Sequence, residues 1–253
     1  MMILVGYFVI YTYILLMTFV VGEFIRKKSN VEMSRKVIHI SLFMVWFFID
    51  IFFKNTIHQI IISSSFLVAN IISYKFKLFK SIEREDSNHF GTIYFALALL
   101  IIYTVAFFFE DLYIHTGPAV MCLTFGDGAA SVFGHLVKSK RITKDKSLSG
   151  FISCAIGSLI GMLFLKCTAF NEFDLVSVIL LSVICAIVEL VGKGLDNFSI
   201  VFTVFLLSYL LYIENTIIIQ IVLICFILLI VAIYILKYYR NNVVNYERRN
   251  KKA

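Results

Sequence analysis

Apolar runs long enough to cross a bilayer recur from one end of this chain to the other, and short charged segments separate them. That alternation restricts the fold more than any other feature. A helix needs about 20 apolar residues to span the hydrocarbon core, and only helices or closed barrels satisfy their backbone polar groups there. The runs fall at 3–21, 37–53, 57–74, 92–109, 113–137, 148–165, 175–191, 198–213 and 216–236. They predict an all-α, polytopic membrane protein of about nine transmembrane helices. One integral membrane domain covers 1–253, with a basic tail at 237–253. A soluble core is excluded on composition, because 60% of the residues are hydrophobic and only 15% charged.

Cations orient the chain. Of 23 Lys and Arg residues, 21 lie after odd-numbered runs; the alternate segments hold only Lys54 and Lys166. This bias places the C-terminus and the loops near 30, 80, 140 and 194 in the cytoplasm and the N-terminus outside. It also explains the net charge of +7 without nucleic acid, so no nucleic-acid partner is expected. The first run has no basic leader or cleavage box and reads as a span. Five cysteines, at 122, 154, 167, 185 and 225, lack paired spacing and give no disulfide or zinc framework.

Against this background, polar residues inside or beside the runs stand out. Asp127 sits between Gly126 and Gly128 in the fifth run. A carboxylate there stays ionised only with a partner. Mg²⁺ would supply one, since it takes oxygen ligands and bridges to phosphates; an interhelical lysine pair or a polar cap is the structural alternative. Pro118, Gly126 and Gly128 predict that this helix is broken at a binding site. The loop that follows carries Lys138, Lys140, Arg141, Lys144 and Lys146. Lys144 and Lys146 suit a transferring phosphoryl group, although positive-inside bias also explains them. Ser147 or Ser149, ahead of Gly150, could cap the next helix.

Three further clusters share that membrane side. Arg35 and His39, four apart, fall on one helical face beside Lys36 and could hold phosphate oxygens, or be simple flanking charge. Residues Glu83 to His89 are either a metal-holding acidic loop or a solvated charge run. Glu189, Lys193, Asp196 and Asn197 could pair internally, with Glu189 near Lys193, or supply a second metal ligand or a base. Gly157 and Gly161 make a small-residue stripe that predicts close helix packing. No internal repeat supports a transporter of an anionic solute, which remains the non-enzymatic alternative.

Taken in order, these residues resemble the family of membrane-bound CTP-dependent polyprenol kinases, which includes dolichol kinase, phytol kinase and a yeast-type diacylglycerol kinase. Phosphatidate cytidylyltransferase is its wider relative. The resemblance covers about 33–212. It rests on Arg35, Lys36 and His39; Glu83 with Gly91, Thr92 and Tyr94; Gly126, Asp127, Ala129, Ala130 and Gly134; Lys146, Ser147 and Gly150; and Glu189, Gly194, Asp196 and Asn197. It implies transfer from CTP to the hydroxyl of a membrane lipid, with Mg²⁺ on Asp127 and Asp196. Asp127, Lys144, Lys146 and Glu189 would be catalytic. Arg35, Lys36, His39, Gly126, Gly128, Ser147, Gly150 and Asn197 would bind the nucleotide. Ser147 stands where the family commonly has threonine, and no proline follows Asn197. The long C-terminal signature of the cytidylyltransferases is missing, which favours the kinase branch and leaves CDP-diacylglycerol synthesis as the alternative. A homodimer stays open.

Overall fold

The structure, a computed structural model, describes residues 2–78, 90–143, 146–168, 173–192, 194–213, 217–225 and 227. The chain divides into a compact unit, Met1–Tyr212, and a second unit, Ile213–Ala253. All that follows concerns the first.

Every regular element described there is helical. Met2–Leu15 (α1), a π-helical turn Leu16–Val21 and Gly22–Lys28 (α2) form one long helix. Val31–Ser41 (α3) and Phe43–Phe52 (α4) follow, then Ile57–Phe76 (α5) and Gly91–Phe108 (α6). A 3₁₀ turn at Glu110–His115 leads into Thr116–Met121 (α7), a π-helical turn Cys122–Asp127 and Gly128–Leu136 (α8). Leu148–Thr168 (α9), Leu175–Val191 (α10) and Asp196–Tyr212 (α11) complete the bundle.

Five of these helical stretches are long and apolar enough to span a membrane: Met2–Lys28, Ile57–Phe76, Gly91–Phe108, Glu110–Leu136 and Leu148–Thr168. The protein is therefore an all-α, multi-pass membrane protein with five candidate spans among the described residues. The other four expected spans do not meet that standard for identifiable reasons. The 37–53 run is two helices, begun early by Asn30, whose side chain accepts the Met33 N–H at 2.7 Å. It is pinched at Leu42, whose N–H is shared between the carbonyls of Ile38 and His39 at 3.2 and 3.3 Å. Helices α10 and α11 have 17 residues each. Most of the ninth run lies outside the described residues.

The fifth run also departs from expectation. Its helix is continuous through Pro118 and the two glycines instead of unwinding. The chain tightens before Pro118 and widens into the π turn that ends on Asp127. Its glycines let helices approach. A Cβ on Gly126 would overlap Ser158 Oγ, and one on Gly128 would overlap Ile40. The α9 stripe packs as predicted: a Cβ on Gly157 would lie 2.6 Å from Phe125 O, and one on Gly161 2.9 Å from the Phe125 ring. Helix α9 thus presses against the π turn, α8 and α10, while α3 crosses α8.

Candidate active site

Asp127 is fixed by the end of that π turn, which adds a residue to the helical turn and changes the face on which the next side chain emerges. Its carboxylate is 5% exposed. Lys36, itself 6% exposed, reaches it from α3 with Nζ 2.6 Å from Oδ2. His39, one turn further along α3, donates from Nε2 to the Leu123 carbonyl at 3.0 Å and lies 3.4 Å from the same Oδ2. The interhelical lysine pair weighed for Asp127 is therefore present.

Two more carboxylates come from the turn between α10 and α11. Glu189 is in the last turn of α10, and Asp196 opens α11. Gly194 has φ +79°, a conformation glycine adopts without strain, and Gly192 leaves no room for a side chain beside Asp196. The short turn holds the two acids close. Lys146 bridges them, bonding Glu189 and lying 2.8 Å from Asp196 Oδ2. Its position comes from a folded-back loop: Ile142 N–H donates to Lys146 O at 2.9 Å, Leu148 N–H to Lys140 O at 2.9 Å, and Arg141 pairs with Ser147 as an antiparallel bridge.

Carboxylate oxygens of Asp127, Glu189 and Asp196 all lie within 4.8 Å of one another. Two ammonium groups against three carboxylates leave one negative charge in this cluster. Burial alone would lower the pKa of Lys146, but Glu189 and Asp196 outweigh it and the net shift is upward. The Lys146 ammonium is thus held charged, and each carboxylate has a basic partner.

A cavity of about 510 Å³ opens beside the cluster, a size suited to a small-molecule ligand. Arg35, Lys36, His39, Asp127, Asp196 and Asn197 line its polar part. Arg35 Nη2 bonds Glu32 at 2.6 Å, and its buried Nε has no hydrogen-bond partner. Asn197 Nδ2 donates to the Gly91 carbonyl at 2.9 Å, tying α11 to the start of α6.

Six of the predicted site residues lie elsewhere. Glu189 and Lys146 do not line the cavity, although they complete the charge cluster. Gly126 and Gly128 make the helix contacts already described. Ser147 Oγ accepts the Gly150 N–H at 3.2 Å at the start of α9, where Gly150 also passes close to Ala130 O. These fit the capping reading. Lys144, residues 83–89 and Lys193 lie outside the described residues. Glu189 takes Lys146 as its partner.

One residue escaped the sequence reading. Asn70, on α5, is 3% exposed and lines the same cavity, and its Nδ2 has no hydrogen-bond partner. The available signal was an amide inside an apolar run, four residues from Phe66 and three from Ser73, on one face of a membrane helix.

Comparison of the chain with protein families, with curated proteins and with solved structures found no match to any of them.

Proposed function

We propose that this protein is a CTP-dependent kinase that phosphorylates the hydroxyl of a membrane lipid. The observation that carries the reading is the convergence of Asp127, Glu189 and Asp196, from separate elements, beside a cavity with a cationic wall. A purely structural ion-pair network has no need of the third acid or of the cavity. The motif resemblance to the polyprenol kinases supplies the nucleotide and the reaction type.

The three carboxylates fit Mg²⁺: all donors are hard oxygens, close together, with one negative charge in excess. Asp127 and Asp196 would hold the ion, with Glu189 completing the set. When bound it would neutralise the phosphate oxygens and ease transfer of the terminal phosphoryl group. Lys36 exchanges its carboxylate partner for phosphate oxygens, while Lys146 stays between Glu189 and Asp196 and holds the two acids together. Arg35 presents its guanidinium from the cavity wall to the phosphate chain. His39 stays bonded to Leu123 and fixes α3 against the π turn. Glu189, expected as the base, does not face the cavity, and Asp196, which does, is committed to the ion and Lys146; the alcohol oxygen attacks the γ-phosphorus, the bond to the bridging oxygen breaks, CDP leaves and the alcohol proton passes to solvent. The Lys/Arg bias orients this end to the cytoplasm, where CTP is available.

The test uses purified protein in mixed micelles with CTP labelled at the α or γ position. Label from the γ position in lipid supports the kinase. Label from the α position means cytidylyl transfer to a phosphatidate-like acceptor. Lipid unlabelled in both arms, with solute uptake into liposomes, removes the enzyme reading altogether.

A further inference from the structure

Of the two lysines in the carboxylate cluster, only Lys36 faces the cavity. Lys146 is held between Glu189 and Asp196 by its folded-back loop. Lys36 reaches Asp127 from α3, with Nζ 2.6 Å from Oδ2 and both side chains buried. A lysine stem is a flexible four-carbon chain, so this ammonium can turn from the carboxylate to a ligand in the cavity without movement of α3. Arg35, the neighbouring cation on the wall, already has Glu32 at 2.6 Å.

Charge gives that freedom a consequence. With both ammonium groups in place the cluster carries one negative charge, and a divalent ion added to it would leave a buried positive charge in excess. With Lys36 withdrawn, the three carboxylates, the Lys146 ammonium and a divalent ion balance. His39 enters this count as a neutral imidazole whose Nε2–H is given to the Leu123 carbonyl. Lys36 and the ion would also compete for one carboxylate, and like charges a few ångströms apart in a buried site repel strongly. A ligand phosphate removes the conflict by taking the ammonium.

We propose that Lys36 is a built-in placeholder cation. Its ammonium occupies the Asp127 carboxylate in the free protein and bars a divalent ion, and it leaves for phosphate oxygens when a polyphosphate enters the cavity. The free protein therefore binds divalent metal weakly, and metal and polyphosphate each raise the affinity for the other by the same factor. The device answers to phosphate charge and not to the base, so inorganic triphosphate at saturating concentration works it too. The metal and the polyphosphate come from the kinase reading, on which this proposal rests; neither transfer nor a lipid acceptor is required.

Mn²⁺ tests the proposal, titrated into full-length protein in nanodiscs without an acceptor alcohol, with the retained ion measured after ultrafiltration. In the wild type, CTP or inorganic triphosphate should raise the affinity for Mn²⁺ about tenfold or more. A phosphate that merely ligates the ion would do the same, so the Lys36 variants decide. Without any phosphate, Lys36→Met and Lys36→Gln should hold Mn²⁺ about tenfold more tightly than the wild type, and the further gain from triphosphate should shrink. Mn²⁺ alone should raise the melting temperature of Lys36→Met and leave that of the wild type unchanged. The added binding should vanish when Asp127→Asn is combined with Lys36→Met. Wild-type protein that holds Mn²⁺ equally well with and without triphosphate overturns the placeholder. So do a response to CTP but not to saturating triphosphate, neutral variants no tighter than the wild type, and added binding that survives Asp127→Asn. Coupled binding as expected, with no label reaching lipid, leaves the placeholder standing and removes the kinase reading. Label from the γ position in lipid, with none of this coupling, does the reverse.

Discussion

The span Glu110–Leu136 carries buried polar groups near both ends, and the two ends treat them differently. At one end His115 is fully buried with neither ring nitrogen hydrogen-bonded, enclosed edge-on by Tyr212, Tyr209 and Phe173 at 5.4, 5.5 and 6.0 Å. Nearby, Trp46 Nε1 donates to Thr116 Oγ1 at 3.0 Å and Tyr113 OH to Asp50 at 2.9 Å. These are single bonds between neighbouring helices, and they hold the bundle together. At the other end, about 18 Å along the axis, Asp127 belongs to a cluster of five charges that opens on a cavity. Tyr and Trp can hide an isolated polar atom against an aromatic face. A carboxylate cannot be hidden that way, so its presence demands cations, and the excess acid demands one more. Burial alone therefore does not mark a site; an unbalanced charge beside open space does.

Asp127→Asn should separate the ends most sharply. Transfer of γ-label should fall by about 10³-fold or more, with membrane insertion retained and detergent stability lowered because buried Lys36 loses its carboxylate, and binding of Mn²⁺ measured by EPR should weaken in parallel. Near wild-type transfer would erase the functional difference between the two ends.

Lys146→Met comes next. It leaves Glu189 and Asp196 without their ammonium, so activity should drop about 10- to 100-fold and the melting temperature should fall. Added Mg²⁺ should recover part of that loss, because the cation takes the place of the lysine. A loss that Mg²⁺ does not touch would make the cluster an ordinary ion-pair network. The upward shift of Lys146 fixes the pH dependence. Its stabilisation is fully present below the ordinary lysine value of about 10.4 and is lost as pH rises through the higher folded value. The difference in melting temperature between wild type and Lys146→Met should stay flat from neutral pH to about 10 and shrink above that.

Gly194→Ala should cost about 1 kcal/mol through its positive φ. By disturbing the spacing of Glu189 and Asp196 it should lower kcat several-fold more than it lowers stability, as thermal melts and turnover measured together would show. The smallest effect belongs to the aromatic end. His115→Phe should leave transfer within about twofold and stability unchanged or slightly raised, since an unbonded imidazole is replaced by an apolar ring. A large loss of activity there would mean that the two ends are coupled.

Most of the charged end was legible in the sequence because charged residues in membrane runs are rare enough to announce themselves. Asp127, Glu189, Asp196, Lys146 and the Arg35–His39 face were all singled out that way. What could not be read was who meets whom. Lys36 and Asp127 are 91 residues apart, and only the crossing of α3 with α8 brings them together. Asn70 was hidden because serines and an asparagine in an apolar helix look alike until burial and unpaired atoms are known. The pinch at Leu42 has no proline or glycine to announce it. The π turn replaced the expected break because Pro118 lies near the start of the helical stretch, where a missing N–H costs little.

That wide turn has a consequence for how the protein tolerates change in length. It takes up one residue's worth of rotation, about 100°, between the segment that packs on α9 and the carboxylate that meets Lys36. Removing any one residue from 122 to 126 would let the turn relax to ordinary pitch and leave Asp127 on the face that meets Lys36. Tightening the turn with every residue kept would bring Asp127 out on a different side of the cylinder. Here the phase of a helix, more than the identity of its residues, decides whether the acids meet.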